Sequence, residues 1–260
     1  MKKDFKELLL KQIWFIILIL WIFITIFFVW KFFEIRELQK NNLKLFKYIK
    51  SNEWIIKKIR QNNDLQNYLN SLDLDNDNSL TKFVNNKVHY NDLAYIPENL
   101  VKVSSKHIID WKKWYIKVTK ILKENLEKMS NDFYKDTNNN IVVVSGYRSY
   151  NYQKWIKDRG CPDNLCAKAW YSEHQSWLAV DLYSASSLKN WSNNNNLKKY
   201  YTWLKQNAWK YWFTNTYQKW LEVDWYEIEP WHWRYVWVKL AKYLLDHNMT
   251  FAEFYNKNKK

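Results

Sequence analysis

The sequence is poorest in glycine. Only 2 of its 260 residues are glycine, whereas 18 are tryptophan, and an average usage of about 7% would give roughly 18 glycines. A globular domain needs glycine wherever φ is positive or two backbones approach closely, and two glycines do not meet that need. The combined number of glycine and tryptophan residues is close to the expected number of glycines plus a few tryptophans. We therefore predict that many tryptophans are glycines in the natural protein, encoded by UGA codons that were translated as tryptophan.

Cysteine is scarce as well. The only two, Cys161 and Cys166, flank a Pro-Asp-Asn-Leu segment. In a domain predicted to be exported, this spacing favours a small disulfide-closed loop, with a pair of free thiols as the alternative. A second metal site is disfavoured because no further Cys or His is nearby. The loop precedes the motif around His174 and is expected to shape the rim of a cleft.

No compact block of Arg or Lys is present, although the formal net charge is +15. The basic residues are spread along the chain among Asn, Tyr, Phe and Ile, whereas a nucleic-acid site concentrates them on one face or stripe. A compositional bias toward Lys and Asn explains the charge, and we predict no nucleic-acid partner. The hydrophobic fraction of 47% is enough for a real core.

One long stretch has no charge at all, residues 12–30, bracketed by Lys11 and Lys31. A helix rises about 1.5 Å per residue, so this stretch nearly spans a hydrocarbon core of roughly 30 Å. No small-residue cleavage pattern follows, which favours an uncleaved signal anchor. We predict a cytoplasmic tail and transmembrane anchor at 1–33, a helical stalk at 34–80 and a catalytic domain at 81–260. Basic residues flank both ends of the stretch and do not settle its orientation.

The remaining patterns predict an α+β domain. Residues 73–79 are rich in Asp and Asn but lack the Gly and Glu of a calcium loop, so an acidic turn is expected. Helices are predicted from about 108 to 129, 200 to 208 and 236 to 248, and strands at 141–144, 178–183 and 222–229.

Two histidines stand out from the five by their neighbours. His174 is followed seven residues later by Asp181, inside the apolar run LAVDLY, where a carboxylate is costly to bury unless it is paired or binds a metal. His232 lies three residues after Glu229. Two His and one Asp form a three-ligand zinc set that leaves a position for water, and Glu229 is a candidate general base.

Three ordered motifs resemble the VanY-like D-alanyl-D-alanine carboxypeptidases: SGYRS at 145–149, SEHQ at 172–175 with Asp181, and EPWHWRY at 229–235. The resemblance runs from about Val84 to Tyr255. It implies a compact α+β fold, shared with lysostaphin-type peptidases and hedgehog domains, in which a small antiparallel sheet carries one zinc ion.

The resemblance also implies roles for individual residues. His174, Asp181 and His232 bind zinc, and Glu229 assists the attack of a zinc-bound water on the peptide bond before the terminal D-alanine. Arg148, supported by Ser172, holds the substrate's terminal carboxylate or the developing oxyanion. Further substrate contacts are expected from Tyr147, Gln153 and Trp231.

The implied substrate is a peptidoglycan stem peptide ending in D-Ala-D-Ala, which places the domain outside the cell on a single-pass membrane anchor. A peptidoglycan endopeptidase, a D,D-dipeptidase of the same fold and a non-catalytic zinc-containing cell-wall binding domain are the alternatives.

The chain departs from the family where glycine is usual. We predict glycine in the natural protein at five positions, which are Trp170, Trp177, Trp212, Trp225 and Trp237. Trp155 and Trp220 are further candidates. Trp231 matches a family tryptophan, and Trp203 fits an amphipathic helix.

Overall fold

The computed structural model describes residues 2–92, 95–96, 98–113, 115–184 and 188–259. They fall into two compact units, Met1–Asp64 and Leu65–Lys260.

The first unit is helical. Helix α1 runs from Lys2 to Asn70, which confirms the helix expected there. Its part Leu10–Lys50 contains a window with a mean hydropathy of 2.8 and is long and apolar enough to cross a membrane. Large apolar side chains cover its surface, such as Trp14 and Phe23, whose exposed fractions are 68% and 66%. By length and composition, α1 is therefore a candidate membrane span.

The second unit combines short strands with helices, which confirms the α+β class. The strands are β1 (Leu100–Lys102), β2 (Ile108–Asp110), β3 (Lys117–Thr119), β4 (Ile141–Ser145), β5 (Ala179–Leu182), β6 (Phe213–Asn215) and β7 (His232–Tyr235). The helices are α2 (Lys120–Thr137), α3 (Tyr150–Asp158), α4 (Leu188–Ser192), α5 (Asn195–Asn207), α6 (Leu221–Asp224), α7 (Val238–Asp246) and α8 (Phe251–Asn258). Two 3-10 turns lie at Glu173–Ser176 and Ala208–Tyr211.

Five strands form one sheet in the order β2-β4-β5-β7-β6, and β1 pairs with β3 separately. Three of the four pairings in the large sheet are antiparallel, as expected, but β2 and β4 are parallel. A parallel pair needs a long crossover. Helix α2 lies between these two strands in the chain and supplies it.

Helix α2 covers the sheet with one apolar face. Its buried residues Leu122, Leu126 and Phe133 share a core cluster with Val143 of β4 and Val180 of β5. These contacts fix β4 and β5, the strands that lead into the SGYRS motif and carry Asp181. The strands predicted at 141–144 and 178–183 and the helices predicted at 200–208 and 236–248 are confirmed by β4, β5, α5 and α7.

The helix predicted from 108 to 129 is wrong in its first half. Both carboxylate oxygens of Asp110 accept backbone amides, from Lys112 and Ile116, and this turn separates β2 from β3. The helix begins only after Thr119, whose hydroxyl accepts the amide of Leu122. A buried side chain that caps backbone donors therefore overrides the helical spacing of the apolar residues.

The strand predicted at 222–229 is also wrong. Residues Leu221–Asp224 form α6, and the segment up to Glu229 is irregular. Asp224 is buried, and its carboxylate accepts the amides of Gln218 and Lys219. These bonds hold a tight turn that a strand does not allow.

The acidic segment at 73–79 is a turn, as predicted. Asp73 accepts the amides of Asp75 and Asn76. The buried ammonium of Lys82 donates to the Asp75 carbonyl at 2.6 Å and lies 3.1 Å from the Asp77 carboxylate. A side-chain cation thus offsets part of the negative charge of this turn.

Positive φ angles coincide with the tryptophans predicted to be glycine. Ten non-glycine residues of the described ranges have positive φ, and the tryptophans among them are Trp170, Trp177, Trp212, Trp225 and Trp237. Three of these five end a helix or turn in the left-handed conformation, the position that glycine usually fills. Trp237 has φ 98° and ψ 144°, outside the regions open to a residue with a β-carbon. The backbone therefore favours glycine at these five positions, but not at the two further candidates, because Trp220 has a φ of −77° and Trp155 lies inside α3.

Candidate active site

His174 lies in the 3-10 turn that precedes β5. The turn begins at Ser172, whose hydroxyl accepts the amide of His174. The Nδ1 atom of His174 lies 2.8 Å from the carbonyl oxygen of Gly146, to which it donates. This bond leaves Nε2 free of a proton and directed at Asp181, whose Oδ1 lies 3.2 Å away. Gly146 is required here, because a β-carbon would meet the Lys117 carbonyl oxygen at 2.6 Å.

Asp181 and His232 are direct partners across the antiparallel pair of β5 and β7. Their side chains lie on the same face of the sheet, and Nδ1 of His232 is 3.2 Å from Oδ1 of Asp181. One possible ligand atom from each of His174, Asp181 and His232 lies within 4.8 Å of the other two, and all three residues are buried. Sheet register thus brings together residues that are far apart in sequence.

The donor set fits zinc. Two imidazole nitrogens and one carboxylate oxygen are the ligands of a catalytic zinc site with an open position. Each histidine directs one nitrogen at Asp181, while its other nitrogen donates to an oxygen: the Gly146 carbonyl for His174 and the Glu173 carboxylate for His232. Such outer partners fix the tautomer of metal-binding histidines.

Glu173 is a residue that sequence reasoning missed. Its side chain is 2% exposed, and Oε2 accepts hydrogen bonds from Nε2 of His232 and from the Thr216 hydroxyl, both at 2.8 Å. Burial acts to raise the pKa of Glu173, but the His232 hydrogen bond and the charge of Arg234 outweigh it and lower the pKa. The signal in the sequence was an acid directly before His174, which is easily taken for a surface residue.

Glu229 borders the same cluster. Its Oε2 lies 3.9 Å from Nδ1 of His232. Asn215, which is also buried and was not predicted, donates from Nδ2 to the carbonyl oxygens of Glu229 and His232 and fixes the turn between them. Burial raises the pKa of Glu229 to about 7; the charge of His232 lowers it and that of Asp181 raises it. A carboxyl group with this pKa can both accept and donate a proton near neutral pH.

Arg148 contacts the cluster from the SGYRS motif. Its Nη2 lies 2.8 Å from Oδ2 of Asp181, and its Nε donates to the Ser145 hydroxyl at 3.0 Å. Burial acts to raise the pKa of Asp181, but its contacts with His174 and His232 and the charge of Arg148 hold it well below the usual range. Asp181 is therefore ionised.

The two histidines differ in protonation. Burial and the charge of Arg148 lower the pKa of His174 to about 4, so it is neutral. Burial also acts to lower the pKa of His232, but its hydrogen bonds to Asp181 and Glu173 raise it to about 9. In the metal-free protein, both ring nitrogens of His232 are therefore protonated at neutral pH, and its side chain is positively charged.

A cleft of about 130 Å³ opens over the cluster. It is lined by Arg148, Leu165, Cys166, Ala167, Ser172, Glu173, His174, Asp181, Tyr217, Tyr226, Glu229, Trp231 and His232. The cleft thus brings together the predicted metal ligands, the predicted base, Arg148, Ser172 and Trp231. Cys161 and Cys166 form a disulfide, and the loop that they close contributes Leu165 and Cys166.

Two of the expected substrate contacts lie elsewhere. Gln153 is fully buried, and its Nε2 donates to the Ala167 carbonyl at 2.7 Å, so it supports the wall of the cleft from behind. The ring of Tyr147 packs edge-on against Trp177 at 5.9 Å between centroids. Neither side chain lines the cleft, because Tyr147 packs against Trp177 and Gln153 is buried in α3.

Known proteins match the part of the chain that holds the site. Residues 115–238 match the VanY family, described as D-alanyl-D-alanine carboxypeptidase. The candidate carboxypeptidase YodJ of Bacillus subtilis (strain 168) is 38% identical over 46% of this chain and 47% of its own length. A D-alanyl-D-alanine carboxypeptidase of Enterococcus faecium is 31% identical over 54% of this chain and 44% of its own. The chain therefore spans about half the length of the curated relatives it matches.

Solved structures match a larger part. The LdcB LD-carboxypeptidase, whose structure addresses peptidoglycan recognition, shares 30% identity over 71% of this chain and 89% of its own, with a TM-score of 0.60. The vancomycin-resistance D,D-pentapeptidase VanY, solved with Zn(II), shares 24% identity over 66% of this chain and 96% of its own, with a TM-score of 0.51. The second likeness is one of fold.

Proposed function

We propose that this chain, which belongs to the VanY-like family, is a zinc-dependent peptidase that removes the terminal D-alanine from peptidoglycan stem peptides. One observation carries the proposal. A buried His-Asp-His cluster lies in a cleft with Glu229 3.9 Å from His232 and Arg148 2.8 Å from Asp181.

His174, Asp181 and His232 hold one zinc ion in this proposal. When bound, zinc polarises the scissile carbonyl and lowers the pKa of water. The Gly146 carbonyl and the Glu173 carboxylate hold the two imidazoles in the tautomers that leave Nε2 of His174 and Nδ1 of His232 for the metal.

Glu229 moves the proton. Its carboxylate accepts a proton from the attacking water and passes it to the amine of the departing D-alanine. A pKa of about 7 suits both transfers. Asn215 fixes the backbone of Glu229, so the carboxylate is held beside the cluster.

Arg148 binds the terminal carboxylate of the peptide. Its described bonds use Nε and Nη2, and a guanidinium has five N–H donors in a planar fork, so donors remain for a carboxylate. A peptidase with a cation at this place prefers the free end of a chain. Ser172 lies in the same cleft and supports this contact.

The proposed arrangement in the cell follows from the substrate. Residues 1–33 form a cytoplasmic tail and single-pass membrane anchor, 34–80 a stalk that is helical as far as Asn70, and 81–260 the catalytic domain outside the cell. The apolar surface of α1 supports the anchor.

An LD-carboxypeptidase is the second candidate. It is favoured because LdcB is more similar to this chain than the D,D-pentapeptidase VanY, both in sequence identity and in TM-score. Such an enzyme cleaves between an L-residue and a terminal D-residue, whereas a D,D-carboxypeptidase cleaves between two D-residues.

A panel of peptides distinguishes the candidates. The zinc-loaded protein is incubated with a pentapeptide ending in D-Ala-D-Ala, the tetrapeptide that lacks its last residue, the free dipeptide D-Ala-D-Ala and cross-linked muropeptides. We expect D-alanine release from the pentapeptide. Release from the tetrapeptide alone assigns the LD activity, from the dipeptide alone a dipeptidase, and cleavage of cross-links alone an endopeptidase. Binding without hydrolysis assigns a cell-wall binding module.

A further inference from the structure

The disulfide loop, residues 161–166, forms one wall of the cleft. We infer that this loop is a substrate-specificity element. The side chain of Leu165 contacts an apolar part of the substrate residue that precedes the D-alanine pair. The inference rests on the proposed function, because it assumes a peptide substrate in this cleft.

The loop is held on two sides. Asn164 bonds twice to Glu227, its Nδ2 donating to the carboxylate at 2.6 Å and its carbonyl oxygen accepting the Glu227 amide at 2.8 Å. Glu227 lies two residues before Glu229, so the loop is tied to the segment that carries the proposed base. On the other side, Lys157 of α3 donates to the Cys161 carbonyl at 2.5 Å and to Asp163 at 2.7 Å.

Together with the disulfide and the Gln153–Ala167 bond, these contacts fix the loop on both α3 and the segment before Glu229. A loop with this many anchors keeps its place when a ligand binds, and its contacts with the ligand then cost little ordering entropy.

Leu165 is the one exposed side chain among the residues that line the cleft. Its exposed fraction is 41%, although it is apolar. It therefore lies at the mouth of the cleft, while the catalytic cluster lies at the buried end.

The cleft is too small for a whole stem peptide. Its volume of about 130 Å³ lies below the roughly 300 Å³ at which pockets for drug-sized ligands begin. It encloses the end of the peptide near Arg148 and the cluster, and the preceding residue must cross the mouth. Leu165 lies at that mouth, and its apolar side chain favours a substrate residue with an aliphatic or methylene surface over one with a charged surface.

The test compares Leu165→Ala with Leu221→Ala, a matched control that is 40% exposed and does not line the cleft. Each variant and the wild type receive a pentapeptide ending in D-Ala-D-Ala and the short substrate N-acetyl-D-Ala-D-Ala, which lacks the preceding residue. We expect Leu165→Ala to raise KM for the pentapeptide about three- to tenfold with kcat unchanged, from partial loss of leucine burial. For the short substrate, the KM of Leu165→Ala should equal that of the wild type. The control Leu221→Ala should have the wild-type KM for both substrates.

A second variant tests the anchoring. Asn164→Ala removes the side-chain bond to Glu227 but keeps the backbone bond, and this weaker anchoring should also raise KM selectively for the pentapeptide. The inference is overturned if Leu165→Ala matches the control on the pentapeptide, or if it raises KM equally for both substrates.

If the wild type cleaves neither peptide, the proposed function fails, and calorimetric Kd values for the pentapeptide then test the loop on their own. Weaker binding by Leu165→Ala than by the control supports the loop's role. Equal Kd values, or no binding by the wild type, overturn it.

Discussion

Oε2 of Glu173 lies 2.8 Å from Nε2 of His232, and both side chains are 2% exposed. The carboxylate therefore holds a proton on Nε2 and leaves Nδ1 for a metal. Loss of such an outer partner typically costs 10- to 100-fold in metal affinity.

We predict that Glu173→Gln lowers zinc affinity by about 10- to 100-fold, because the charged acceptor for His232 is lost. Competition with a zinc chelator measures this change without any substrate. Thr216→Val, which removes only the hydroxyl that donates to Glu173, should have a smaller effect. Equal zinc affinity in Glu173→Gln and the wild type would show that Glu173 does not orient His232.

Zinc binding should depend on pH through His232. Its pKa is raised to about 9 in the metal-free protein, whereas that of His174 is lowered to about 4. Below pH 9 the metal must displace one proton from His232, so the apparent affinity falls about tenfold for each pH unit below that value and levels off above it. Chelator competition between pH 6.5 and 9.5 measures the slope. An affinity that does not change with pH would contradict the raised pKa of His232.

Arg148 should distinguish a free carboxylate from an amide. Lysine keeps the charge but loses the planar fork. We therefore expect Arg148→Lys to raise KM by about tenfold for a peptide with a free C-terminus. Hydrolysis of the same peptide with an amidated C-terminus should be slow in the wild type and no slower in the variant. An equal loss on both peptides would indicate that Arg148 acts through Asp181 instead.

Replacing the five tryptophans with positive φ by glycine should stabilise the protein. A left-handed backbone costs roughly 1–2 kcal/mol in a residue with a β-carbon, and the buried indole nitrogen of Trp177 has no hydrogen-bond partner among the described residues. The expected result is a higher Tm for the variant with glycine at Trp170, Trp177, Trp212, Trp225 and Trp237 than for the chain as written.

Trp203→Gly serves as the opposite control. This residue lies inside α5 and donates to Asp136, so its loss should lower Tm. The genomic codons provide a direct test of the origin of the five residues, since UGG at Trp177 and Trp237 would refute translation of UGA as tryptophan. Mass spectrometry of the native protein decides the same question.

Local patterns predicted the site better than they predicted the fold. His174, Asp181 and Glu229 stand in short motifs whose residue types limit their chemistry, and the register of β5 and β7 brings Asp181 and His232 together. The partners of these residues were missed because they are distant in sequence. Glu173 and His232 are separated by 59 positions, and nothing local marks their contact.

The pattern of apolar residues was misleading in two segments where a polar side chain binds the backbone. Asp110 and Asp224 each accept two amides and form turns in segments that had been assigned as a helix and a strand. The positions of positive φ were predicted from two observations together: the scarcity of glycine, and the places where the resembled family usually has glycine and this chain has tryptophan. Backbone conformation and composition agree at all five.

The most direct test of the account is Glu229→Gln. Zinc content and D-alanine release from a pentapeptide ending in D-Ala-D-Ala are measured for this variant and the wild type. We predict that the variant binds zinc with an affinity close to that of the wild type, while kcat falls by about 100- to 10,000-fold because the base that moves the proton is lost. A variant that binds zinc and retains the wild-type rate would show that Glu229 is not the base.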